Sequence, residues 1–112
     1  MKRNGTVPRS GSTMRDFVVE VERPSSAELA AYTRGERYRL LRANTETHRT
    51  NLETWLETQE LCGEVGAVRA GTGFNLIFVE CTPHVAAQLV HAPGVVDVLP
   101  AGELEAGLQS VI

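Results

Sequence analysis

GFNLIFVECTPHVAAQLVHAPGVVDVLP, residues 73–100, holds a strand, a helix and a second strand, and side-chain chemistry marks each boundary. Residues 74–81 are rich in β-branched and aromatic side chains and too few for a lone helix, which predicts a well-buried strand. Thr82 is a helix cap, and Pro83 suits the first helical position, where its missing N–H would have had no partner. Val85, Ala86, Leu89 and Val90 follow at helical spacing and make one apolar stripe to lie on a sheet. Pro93-Gly94 stops the helix. Val95–Leu99 is β-branched again, and Pro100 removes a backbone donor where pairing should end.

Working outward, Asp16–Glu22 alternates, with Phe17, Val19 and Val21 on one side and Val18, Glu20 and Glu22 on the other, so it predicts the first strand. Pro24 closes it, and Ser25 or Ser26 caps a helix with Glu28 in its first turn. Gly35 is expected to break or kink that helix. From Glu36, Tyr38, Leu41, Leu52 and Trp55 or Leu56 keep a 3.6-residue period, with Thr45 and His48 on the same face. They predict an amphipathic helix of about 22 residues. The threonines at 45, 47, 50, 54 and 58 lower its intrinsic propensity, so packing must hold it. His48 on such a face reads as a packed boundary histidine. Glu64–Ala70 reads as a weak edge strand of small residues, and Gly71-Thr72-Gly73 as a hairpin turn into the central segment.

The order strand, helix, strand, strand, helix, strand is the split βαβ arrangement: α+β, a ferredoxin-like βαββαβ sandwich with a four-stranded antiparallel sheet and both helices on one face. Residues 1–15 are expected to be a disordered N-terminal tail, 16–100 the folded domain and 101–112 an extended C-terminal tail. At 112 residues the chain suffices for one core without a staple. Two cysteines, Cys62 and Cys81, make no disulfide framework and read as reduced thiols.

Eleven basic against fourteen acidic residues leave a net charge of −3, with a single lysine, which argues against a nucleic-acid backbone as partner. No apolar run is long enough for a membrane span, and the first 15 residues lack the apolar centre of a signal peptide, so a cytoplasmic location is the default. The cysteines and His48, His84 and His91 show no metal-ligand spacing, and no cofactor or metal is expected. No nucleophile–base constellation, phosphate loop or carboxylate pair in a pocket speaks for an enzyme.

Three features carry a family resemblance: the close AAQLVHAPGVVDVLP, the third strand NLIFV of residues 75–79, and Thr82-Pro83 opening the second helix. With them, residues 17–100 resemble the propeptides of subtilisin-like serine proteases and the stand-alone inhibitors related to them. The long RLLRANTETHRTNLETWLE helix is similar to their extended bacterial form. The resemblance implies a non-catalytic inhibitor, or a folding chaperone, of a subtilisin-like protease. It would dock through the open sheet face and lay its C-terminal tail in the substrate cleft, by strand addition. It would place Leu104 and Leu108 in the apolar P4 and P1 pockets of the cleft, with Gly107 at P2 and Ala106 at P3 and the register open by one residue. Acidic residues that cap protease helices in that family would correspond to Glu103 and Glu105, somewhat later than usual.

Independently of the resemblance, Val18, Glu20, Ile77, Val79, Val96 and Val98 are candidates for the uncovered sheet face, which side points outward depending on strand register. The free chain is expected as a monomer or a weak homodimer. The alternative to a protease partner is a ferredoxin-like regulatory or oligomerisation module.

Overall fold

The computed structural model describes residues 13–71 and 75–102. Its elements run β1 (Arg15–Val21), α1 (Ser26–Leu29), α2 (Arg34–Thr58), a 3-10 turn (Cys62–Glu64), β2 (Val65–Ala70), β3 (Leu76–Cys81), α3 (Pro83–Leu89) and β4 (Val95–Pro100). The four strands form one sheet in the order β2-β3-β1-β4, and every neighbouring pair is antiparallel. α2 lies over β2 and β3, and α3 over β1 and β4. This is the ferredoxin-like α+β arrangement, with α1 reduced to a single turn.

Two capping boxes set the helix starts. In α1, Ser25 Oγ accepts from the Glu28 N–H at 3.1 Å while the Glu28 carboxylate accepts from the Ser25 N–H at 2.9 Å. Thr33 and Glu36 repeat the exchange at the start of α2, at 3.2 and 2.8 Å. Both carboxyls are held below the ordinary glutamate range, first by the cap's backbone N–H and then by its hydroxyl. A lowered folded pKa means that the contribution is present above the unfolded value and is lost as pH falls through the folded one. The break expected at Gly35 falls earlier, at residues 30–33 between α1 and α2, and Gly35 itself sits in the first turn of α2 behind a strong cap.

β1 is one of the two inner strands, with β3, and its pairing sorts the sheet. Phe17, Val19 and Val21 are buried against Ile77, Val79, Cys81, Leu52, Leu56, Val85 and Leu89. Phe17 stands opposite Val79, and Val19 opposite both Ile77 and Val98. Residues directly opposite share a face. Ile77 and Val79, expected as open-face candidates, therefore point into the core with no exposure, and Val98 packs on the core from β4. The phase of β3 is one residue off the expectation, and such a slip inverts every side chain.

At about 1.5 Å per residue α2 is roughly 37 Å long, against roughly 20 Å for a six-residue strand. Its buried positions, Thr45, Leu52 and Leu56, all lie beyond its first eleven residues. Arg34–Leu40 are all exposed, so Tyr38, expected on the core face, is 49% exposed. The helix leaves the sheet where Asn44 Nδ2 donates to the Glu22 carbonyl at 2.8 Å. His48 lies at the boundary, against the Gly94 turn. Gly94 takes φ +81, and a Cβ there would come within 2.6 Å of the imidazole, so Pro93-Gly94 both stops the chain and admits His48.

Of the remaining expectations, Ser25 is the observed cap of α1 and β2 is an edge strand. β1 begins at Arg15, within the expected tail, and Ala101 and Gly102 are helical where an extended arm was expected. Residues 1–12 of the expected N-terminal tail, the 72–74 part of the hairpin and strand, and the expected tail contacts Glu103, Leu104, Glu105, Ala106, Gly107 and Leu108 lie outside the described residues.

Truncating Leu56, 2% exposed in the core, to alanine is expected to cost about 2–5 kcal/mol. Tyr38→Ala on the projecting half of α2 is expected to stay within about 0.5 kcal/mol. Urea midpoints at unchanged slope check both.

Candidate functional site: the uncovered sheet face

The strand register that buries Phe17, Val19 and Val21 of β1 sends Asp16, Val18 and Glu20 to the other side of the sheet. Their cross-strand partners are Glu80, Phe78 and Leu76 on β3, and Leu99 and Asp97 on β4. On β2, Arg69 stands opposite Phe78, and Ala67 opposite Glu80. One line of residues, Arg69–Phe78–Val18–Leu99, thus crosses all four strands. Val18 is only 3% exposed although no helix among the described residues covers it, and its two direct neighbours are the large side chains of Phe78 and Leu99. Leu99 itself is 40% exposed. The centre of the face is therefore already dry, and its flank offers apolar surface.

Phe78 is held from the edge strand. The Arg69 guanidinium lies 5.2 Å from its ring centroid, a cation–π distance. On the next turn of the pleat Gly71 leaves room for the ring: a Cβ there would sit 2.6 Å from Phe78 Cε2. Asp16, Ala67, Arg69, Phe78 and Glu80 line a shallow cleft of about 210 Å³ at this corner.

Carboxylates frame the apolar line on both sides. Asp16 and Glu80 are directly opposite each other, and so are Glu20 and Asp97. Like charges in direct cross-strand register are unfavourable, by about 0.2–1 kcal/mol a pair. Two such pairs on one face contradict what stability alone would select, and local conflicts of that kind mark functional surfaces. Asn75 Nδ2 reaches Glu20 at 3.5 Å. Arg69 is the one cation opposite any of these residues in the described pairings.

Of the sequence-derived candidates, Val18 and Glu20 stand on this face, and Val96 is 58% exposed beside the β4 irregularity that shifts register between Glu20 and Val21. Ile77, Val79 and Val98 do not belong to it. The face residues that sequence reasoning missed are Asp16, Arg69, Leu76, Phe78, Glu80, Asp97 and Leu99. The all-apolar run Leu76–Val79 carries no alternation that could have signalled which of its residues pair with Phe17 and Val19.

A second polar group, at the start of α3, is structural. Thr82 Oγ1 donates to Glu64 Oε1 at 2.8 Å and accepts from the Val85 N–H at 3.3 Å, and the Thr82 N–H donates to the Glu64 carbonyl at 3.1 Å. His84 Nδ1 lies 3.3 Å from the same carboxylate oxygen. Glu64 thereby ties the end of the α2 connection to the α3 cap. Next to it, burial and then the Glu64 charge push the Cys81 thiol up to about 12, the reverse of an activated nucleophile. Cys62 is exposed, and both cysteines are free thiols. Among the described residues no group of three His, Cys, Asp or Glu side chains could hold a metal, and no helix is long and apolar enough to cross a membrane.

Fold and face together define a ferredoxin-like domain with an uncovered, carboxylate-framed apolar sheet surface. A family model described as PopD matches residues 1–104, and the chain belongs to the PopD family. No curated protein and no solved structure matches it. The resemblance to subtilisin propeptides and their inhibitor relatives is therefore corrected as a family assignment. The residues that carried it are explained by the fold: Thr82-Pro83 starts α3, Gly94 supplies the positive φ, and Val95 and Val98 return to the core.

A maleimide reagent at neutral pH is expected to modify Cys62 within minutes and Cys81 only after denaturant unfolds the chain. Peptide mapping of the labelled protein checks this, and prompt labelling of Cys81 would contradict its burial.

Proposed function

We propose that the chain is a non-catalytic protein-binding domain that inhibits a subtilisin-like serine protease, or assists its folding. It docks through the open sheet face and directs the segment after Gly102 toward the substrate cleft. The observation that supports this reading is the Phe78–Val18–Leu99 line framed by the Asp16/Glu80 and Glu20/Asp97 pairs. A partner that places an apolar ridge on the line, with N–H donors or cations on both sides, would relieve both like-charge pairs at once. Helix N-termini on the protease surface are donors of that type.

The direction of the chain favours the second half of the proposal. Pro100 pairs with Phe17, so β4 ends at the same end of the sheet as the Asp16/Glu80 pair, and the chain continues from there. Docked through this face, the domain would let a segment leaving at its margin run along the partner. Docking through backbone hydrogen bonds with side chains in alternate pockets is a recurrent form of peptide recognition. A homodimer through the same faces is disfavoured, because a twofold contact would set carboxylate pairs against carboxylate pairs.

Titration of a subtilisin-like protease with the chain is the test. Leu99→Asp is expected to weaken inhibition at least tenfold, about 1.4 kcal/mol, with the thermal midpoint little changed, and Phe78→Ala to weaken it as much while also lowering the midpoint, since its ring shields Val18. Deleting Gly102–Ile112 should abolish tight inhibition. Protease activity untouched by the intact chain, together with an unchanged refolding yield of the denatured protease, would rule the reading out.

A further inference from the structure

We infer that the projecting half of α2, with the Pro24–Tyr32 segment beside it, is a second docking site, and that its occupant is an acidic amphipathic segment of a partner protein. This surface is separate from the open sheet face. Residues 34–43 hold Arg34, Arg37, Arg39 and Arg42 against Glu36 alone, in a chain whose net charge is −3. Glu36 is occupied by the Thr33 cap. The described ion pairs are those of Arg49 with Glu46 and Glu53 and of His84 with Glu64, so Arg34, Arg37 and Arg39 are in none among the described residues.

Beside these arginines lies a cleft of about 460 Å³, lined by Leu29, Tyr32, Leu40 and Ala43 together with Glu28, whose carboxylate is engaged by the Ser25 N–H at 2.9 Å. That volume falls in the range of ligand-binding clefts, about 300–1,000 Å³. Leu40, Ala43, Asn44 and Thr47 form the α2 wall at helical spacing, and at about 100° per residue Arg37 and Arg39 fall on either side of that strip. Tyr32 remains 45% exposed at the rim. Tyr38 and Arg42 are joined by a 3.2 Å hydrogen bond on the next face of the helix.

Charge complementarity selects the occupant. Apolar anchors fill the cleft while carboxylates on both sides reach Arg37 and Arg39, whose planar guanidinium groups pair with carboxylates in bidentate fashion. Arginine and tyrosine around an apolar pocket are the side chains enriched where proteins bind proteins. A concave cleft takes a helix or strand with protruding anchors, whereas a bilayer surface is met by a convex apolar stripe. A helix that covers no core along this half contributes little to stability, which leaves the half free to serve binding.

The test uses the full chain and a fluorescent twelve-residue peptide of alternating Glu and Leu at helical spacing. Lysine-for-glutamate and serine-for-leucine peptides serve as controls. Saturable anisotropy is expected for the acidic amphipathic peptide alone. It should weaken at least tenfold in the double variant Arg37→Glu, Arg39→Glu and in Tyr32→Ala, and with salt raised from low to roughly 0.5 M. Circular dichroism of the variants should match the parent, since these side chains are exposed. Leu99→Asp should bind the peptide normally, so failure of the sheet-face reading and failure of this one are distinguishable. Equal binding by the double variant, equal binding of the lysine peptide, no saturable binding, or a concentration-dependent oligomer that the double variant dissolves would each overturn the inference.

Discussion

The pairing of β1 with β3 on one side and β4 on the other is the constraint on which everything else rests. Because residues directly opposite share a face, the match of Phe17 with Val79 and of Val19 with Ile77 and Val98 commits each strand to one phase. The same ladder that buries Val19 and Ile77 completely raises Val18, Phe78 and Leu99 into one line on the other side. Core and candidate interface are therefore not independent designs. Shifting β3 by one residue would move Glu80 toward the core and strand Val79 in water, and both errors would have to be tolerated together.

Most of the scaffold was legible in the residues because its signals are local. Thr82-Pro83, Ser25 with Glu28, and Pro93-Gly94 each act within one turn, and each sits where its chemistry places it. The phase of β3 was not legible in the same way. Leu76, Ile77, Phe78 and Val79 are all apolar, so the strand has no alternation of its own, and only its partner determines which side is inside. The extent of α2 escaped for a related reason. Tyr38 and Leu41 keep the helical period, but periodicity does not reveal where the sheet beneath them ends.

The same distinction explains why a family resemblance could be drawn from these residues and then be replaced by PopD. Its motifs, a capped helix start, a Pro-Gly stop and a β-branched return, are solutions to problems every βαββαβ chain meets at the last crossover. Gly94 must accept φ +81 while leaving room for His48, and Val95 and Val98 must re-enter the core. Such residues report the architecture. Lineage and function are written in residues the architecture does not need.

Those residues are the charged ones. Stability gains nothing from setting Asp16 against Glu80 or Glu20 against Asp97, nor from four arginines within ten residues of a projecting helix. The two groups have opposite sign and lie on different sides of the molecule, one on the bare sheet face and one on α2 beyond the helix-covered core. A dipolar distribution of this kind orients an approaching partner before contact, and the orientation persists only where the charges lie within about a Debye length of the surfaces they meet.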